Sequence, residues 1–262
     1  MKILLTILLI VQPFWPQGPF RLIKEVVLKA DYITSDNLGN VYVVRQDELT
    51  KYSKEGELLL TYSDKSLGEI TMVDVRNPLK ILLYYQDLSS VVFLDNRLSR
   101  IGDHIALDQM GLEQSTLACT SHSNGIWLYD PLTFQLSRLD QFLKIERQTQ
   151  NINQLLGHEI IPNFLLEANN WVYLNDPETG IHVFDIYGTY YKTIQLKGLT
   201  EFQILDNNLY FRSNDEMMWF DLRSLQTKQL ELPTLEYKAV RVLRDRYCFL
   251  TEQGLKIYAV RP

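Results

Sequence analysis

Apolar positions along most of this chain recur in short alternating runs that are parted by polar turns. From Gly39 to Ser63, GNVYVVRQDELTKYSKEGELLLTYS, three such runs, NVYVV, ELTKY and ELLLTY, are separated by polar segments, one of them Lys54, Glu55 and Gly56. Alternation within the first run sets Val41 and Val43 on one face and Tyr42 and Val44 on the other. A strand buried between two neighbouring sheets has this pattern.

The pattern returns along the chain. The segments GNVYVV (39–44), LKILLY (79–84), NGIWLY (124–129), NWVYLN (170–175), NNLYFR (207–212) and DRYCFL (245–250) fall into one column. Their spacing is roughly forty residues, which is that of a four-stranded blade in a β-propeller. A second column follows in step: KYSKEG, FLDNRL, RLDQFL, VFDIYG, WFDLRS and IYAVRP. Asp95, Asp140, Asp185 and Asp221 share one slot in it, where a turn-forming acceptor at a strand end explains them without any catalytic role. Two columns in register favour a ring of blades over a β-sandwich. Fourth strands are expected at ELLLTYS, LSRIGD, LKIERQTQ, YYKTIQL and TKQLEL. The last unit has no fourth strand after LKIYAV, and Phe20–Leu28, FRLIKEVVL, has no place in the first unit. Pairing the two closes the ring. The expected fold is therefore all-β, a six-bladed β-propeller spanning residues 19–262 whose last blade is completed by the N-terminal strand.

Composition agrees with this fold. The chain is 46% hydrophobic with fifteen Tyr and eleven Phe, an excess of β-formers around an ample core. Its net charge of −6 offers no basic surface for nucleic acid or anionic lipid, so neither is an expected partner. Residues 1–18 read as a secretory signal, with Lys2 ahead of the apolar run ILLTILLIV and then Pro13 and Pro16. The run is about half of the roughly twenty residues that a membrane helix needs, so an integral membrane protein is not expected. Because Gln12–Gly18 offers no A-x-A cleavage pattern, an uncleaved N-terminal anchor is the alternative. Cys119 and Cys248 fall in different repeat units and are expected to be buried free thiols.

The form D-x-x-G-N-x-Y-V of Asp36–Val43, with its weaker echoes, resembles the six-bladed β-propellers of the NHL-repeat and TolB-like group. The resemblance covers about residues 20–262 and concerns architecture. It also implies two functional models. Small propeller subunits of this kind accompany outer-membrane assembly and secretion machines, and some six-bladed propellers carry a calcium-dependent lactonase site.

Candidate chemistry is sparse. The chain has four histidines. His104 reads as a solvated loop residue, and His122, between Ser121 and Ser123, reads as part of a turn, since adjacent residues on a strand point apart. His158 and His182 show no zinc-ligand spacing. Asp74, Glu167 and Glu201 lie near expected inner strands, yet none has a second oxygen ligand at a readable spacing. A calcium-dependent hydrolase in the channel is thus an alternative reading, and no metal or cofactor is expected. A glycan-binding module using Trp127, Trp171 and Trp219 is a further alternative, although those residues occupy strand columns.

The longer connections Gly102–Gln114 and Arg147–Asn163 follow outer strands and should emerge on one face of the disc. Their residues Ile105, Leu107, Met110, Leu112, Leu155, Leu156, His158, Ile160 and Ile161 form either a partner-binding surface or caps tucked onto the blades. The expected function is that of a non-enzymatic protein-interaction subunit. It would be exported to the periplasm or outer membrane, docking on or capping an outer-membrane complex.

Overall fold

The structure of the protein is a computed structural model that describes residues 19–260; the expected signal segment lies outside the described residues. Alternating β-formers build six four-stranded antiparallel sheets, arranged as the blades of a ring. Each column segment seen in the sequence is the second strand of a blade: Val41–Arg45, Ile81–Tyr85, Ile126–Asp130, Trp171–Asp176, Asn208–Ser213 and Arg246–Thr251. The other column marks where third strands end. There Asp95, Asp140, Asp185 and Asp221 accept backbone N–H bonds from residues two to four positions on, at 2.7–2.9 Å. They are turn caps, as their position suggests.

Packing between blades holds the ring together. Buried apolar residues form six clusters, one at each boundary between neighbouring blades. The alternation of the first blade's second strand is the cause. Tyr42 and Val44 enter the cluster shared with blade two, whereas Val41 and Val43 enter the one shared with blade six. Burial of each such side chain is worth about 1.5–3 kcal/mol.

The ring closes as expected. Phe20–Val27 pairs antiparallel with Gly254–Val260 and becomes the outer strand of the sixth blade. The approach is close at Gly254, whose φ is +137° and where a Cβ would stand 2.1 Å from the carbonyl oxygen of Val26. Only glycine fits.

One outer strand is displaced from its expected place. LSRIGD does not form the fourth strand of blade two; that strand is Ile105–Ala106, with a single bridge between Leu94 and Arg100. Asp95 is the reason, since its carboxylate caps Arg97 and Ser99 and puts Leu98 in a left-handed turn. The turn consumes the residues a strand would need.

Strand alternation gives the disc two rims. Turns from inner to second strands and from third to outer strands share one rim, here called the turn rim. Connections from outer strands to the next blade share the other rim with the second-to-third turns; this is the loop rim. No helix among the described residues is long and apolar enough to cross a membrane.

Candidate functional site

The densest polar network lies on the turn rim across blades two to four. Its centre is the connection Ser121–Gly125 of blade three, Ser-His-Ser-Asn-Gly, which the Ser121 N–H closes on the Gly125 carbonyl at 2.9 Å. Ser123 and Asn124 are left-handed, at φ 53° and 60°. Gly125 is required because a Cβ there would meet the Leu139 carbonyl oxygen at 2.5 Å.

Glu167, near the end of blade four's inner strand Phe164–Ala168, anchors this turn. Its Oε2 accepts hydrogen bonds from the Ser121 hydroxyl at 2.6 Å and the Trp127 indole N–H at 2.7 Å. Its Oε1 accepts from the His122 backbone N–H at 2.8 Å and lies 3.2 Å from His122 Nδ1. Arg138, 2% exposed, donates from Nε to Ser121 Oγ at 2.8 Å and from Nη2 to the His122 carbonyl at 2.5 Å, and it pairs with Glu146. Thr120 and Glu167 face the same position of their blades' second strands, Ile126 and Val172. That shared register places the carboxylate beside the neighbouring blade's turn.

Ser121, His122 and Glu167 are close together without forming a nucleophilic triad. A triad needs the imidazole between hydroxyl and carboxylate, using a different nitrogen for each. Here the Ser121 hydroxyl is spent on Glu167 and accepts from Arg138, while His122 presents the same Nδ1 to both partners. His122 Nε2 makes no hydrogen bond among the described residues.

A second network adjoins the first. Asp74 receives Arg76 Nε at 2.8 Å, the Thr120 N–H at 2.9 Å and the Thr120 hydroxyl at 2.7 Å, and it also pairs with Arg76 Nη2. Burial pushes the Asp74 carboxyl up, but the Arg76 charge and these hydrogen bonds outweigh it and hold its pKa down to about 2. Burial raises the Cys119 thiol beneath to about 12, an inert buried group. Lys80 reaches the Asn124 carbonyl at 2.9 Å and sits 3.9 Å from the centre of the Phe93 ring. Between the two networks runs an open cleft of about 330 Å³.

The other sequence candidates are placed differently. Glu201 pairs with Arg241 at 2.5 Å, so each of the three inner-strand carboxylates already has its donors. Among the described residues no group of three or more His, Cys, Asp or Glu side chains is placed to hold a metal ion. Trp127 is fully buried between blades three and four, which removes it from any glycan-binding rim. Trp171 packs against Tyr191 at 4.7 Å and Trp219 carries Lys228 over its ring. Cys119 and Cys248 are free and buried in different blades.

Of the proposed partner-binding residues, Leu107, Leu112 and Ile160 are core, and Ile105, Met110 and Leu156 pack against the same clusters. The loops are short helical turns, Leu107–Met110 and Ile152–Leu156, clasped onto the preceding blade. The Leu107 N–H bonds the Ser89 carbonyl at 2.9 Å and the Ile152 N–H bonds that of Phe134 at 2.8 Å. What stays exposed is Leu155, His158 and Ile161. His104 is also exposed. His182 is buried under the loop rim between Thr179 and Thr193, and burial lowers its pKa to about 4. Arg76, Lys80 and the pairing of His122 with Glu167 were not singled out in the sequence. The signal available was register, which aligns Thr120 with Glu167 once the second strands are superposed.

No family model matches the chain, and no curated protein matches it. Solved structures show its fold. It is similar to the Pan2 WD40 domain of Neurospora crassa at 10% identity, covering 89% of each chain with a TM-score of 0.60. It is similar to virginiamycin B lyase of Staphylococcus aureus at 13% identity, covering 93% of this chain and 89% of the other with a TM-score of 0.58. It is likewise similar to BamB of Moraxella catarrhalis at 16% identity, covering 92% and 73% with a TM-score of 0.50. These neighbours share the propeller and differ in what they do, and the chain is a six-bladed β-propeller of that architecture.

Proposed function

We propose that the protein is a non-enzymatic, protein-binding propeller of the cell envelope that docks on an outer-membrane complex through its loop rim. The observation that carries this reading is a run of exposed apolar residues on three consecutive blades: Leu88 (51% exposed), Leu132 (69%), Leu155 (41%) and Ile161 (75%). Interfaces draw their energy from a few apolar anchors set on a rigid support. The loops carrying Leu155 and Ile161 have that support, because their remaining apolar residues are locked into the blade clusters. The opposite rim also exposes Leu38, Leu79, Phe142, Tyr187 and Leu225, each at a short turn capped by an Asp or Asn side chain, without the support of a longer connection packed into the core. The apolar N-terminal segment and the presence of BamB among the structural neighbours support the envelope placement.

The experiment is affinity capture from solubilised envelope with the wild type and with Leu155→Asp/Ile161→Asp. Loss of the captured partner at an unchanged melting temperature is the expected result. Undiminished capture by a folded double variant would move the docking surface elsewhere.

A further inference from the structure

The cleft on the turn rim has properties that protein docking does not use. Its acceptors are spent. Asp74 is held by Arg76 and Thr120, and Glu167 by Ser121, His122 and Trp127. Its donors are not. Arg76, Asn77, Ser123 and Asn124 line the cleft, and Arg76 Nη1, Asn77 Nδ2, the Ser123 hydroxyl and Asn124 Nδ2 donate no hydrogen bond among the described residues. Lys80 is half-buried and pairs with no carboxylate among the described residues, and burial lowers its pKa. A partly desolvated cation without a counter-charge is an unfavourable arrangement that a bound anion relieves.

His122 completes the wall. The contact with Glu167 engages Nδ1 and leaves Nε2 without a partner among the described residues. A sugar would want a bare aromatic face, and the only aromatic ring on the cleft, Phe93, has its face covered by Lys80. The volume of about 330 Å³ suits a small molecule.

We infer that this cleft binds a small ligand through an oxyanion, a carboxylate or a phosphate, gripped by Lys80 and the free edge of Arg76, with the His122 ring beside it. Glu167 acts as a positioning residue, fixing the imidazole from behind. The site is independent of the loop rim, so a partner bound there and a ligand bound here do not compete for the same residues.

The test is NMR titration of the full chain at constant ionic strength, with inorganic phosphate and acetate as separate probes. The ring signals of His122 and His104 are followed, each assigned by its Gln variant. His104 is exposed and serves as the control for unspecific ion effects. The expected result is a saturable shift at His122 with at least one probe and none at His104. Response to phosphate alone assigns a phosphate ligand, and response to acetate alone assigns a carboxylate. Lys80→Gln should weaken the response at least tenfold while leaving the melting temperature in place. A folded Lys80→Gln variant that responds like the wild type overturns the inference. So does a wild-type titration in which His122 moves no differently from His104, and that result stands whether or not the variant folds.

Discussion

On the turn rim, blades two to four join through side chains: one carboxylate of blade four takes a hydroxyl, a backbone N–H and an indole N–H from blade three, and an Arg–Asp pair of blade two reaches Thr120. On the loop rim, the same blades carry the longest connections of this part of the chain, and most of their apolar residues are absorbed into the core. The difference teaches that loop length is a poor guide to free surface. A long connection between blades has to cover the end of an apolar cluster, so it spends its hydrophobic residues there and leaves only Leu155 and Ile161 outside. A five-residue turn has no such duty. Its side chains remain for polar contacts with the next blade.

Removing the ring closure would erase both rims at once. A chain lacking Phe20–Val27 bares the edge of Gly254–Val260 and opens the clusters on both sides of blade six. Equilibrium unfolding should show a loss beyond about 4 kcal/mol with aggregation, more than single substitutions cause. A shortened chain that melts with the intact one would contradict closure by this strand.

Trp127 separates packing from polar contact on the turn rim. Trp127→Ala leaves a cavity between blades three and four and should cost about 3–5 kcal/mol by denaturant titration. Trp127→Phe keeps most of the apolar volume but removes one donor from Glu167, for a loss of about 1–3 kcal/mol. A Trp127→Phe variant as stable as the wild type would mean that the indole N–H contributes nothing.

Acid should weaken the two rims in sequence. His182 has a folded pKa of about 4, below its ordinary 6.5, so the unfolded chain binds more protons between these values. Stability is full above pH 6.5 and falls by about 3 kcal/mol as the pH drops to 4. Asp74, with a folded pKa of about 2 against 3.8, contributes stability that is lost only as the pH falls below 3.8. Melting curves of His182→Gln between pH 7 and 4 should therefore be flatter than those of the wild type, and a parallel pair of curves would remove His182 as the cause.

The smallest effect on stability is expected from Leu155→Asp/Ile161→Asp, within about 1 kcal/mol, because exposed positions away from special features tolerate substitution. A fall of several kcal/mol would make these residues caps of the blade cluster and join them to Ile160.

How much of this is legible in the sequence follows from the same physics. Alternation in the second strands is imposed by burial on both faces, so the column beginning at Val41 can be read directly, as can the closing strand Phe20–Val27. Asp95 is also readable as a turn former, yet its turn displaces the outer strand of blade two to Ile105–Ala106, a consequence of geometry two residues further on. Leu107 and Ile160 look like surface candidates because hydrophobicity alone does not say whether a loop residue points inward. The contact of His122 with Glu167 spans 45 positions and depends on the ring bringing adjacent blades together. Neither residue advertises it locally.

The most direct test of the docking account is site-specific photocrosslinking in intact cells, with a photoreactive residue placed at Ile161 on the loop rim or at Phe142 on the turn rim. The two positions are exposed to nearly the same degree, 75% and 72%. The account predicts a discrete protein adduct in the envelope fraction from position 161 and none from position 142. An adduct from position 142 alone, or no adduct from position 161 in a folded, exported chain, would contradict it.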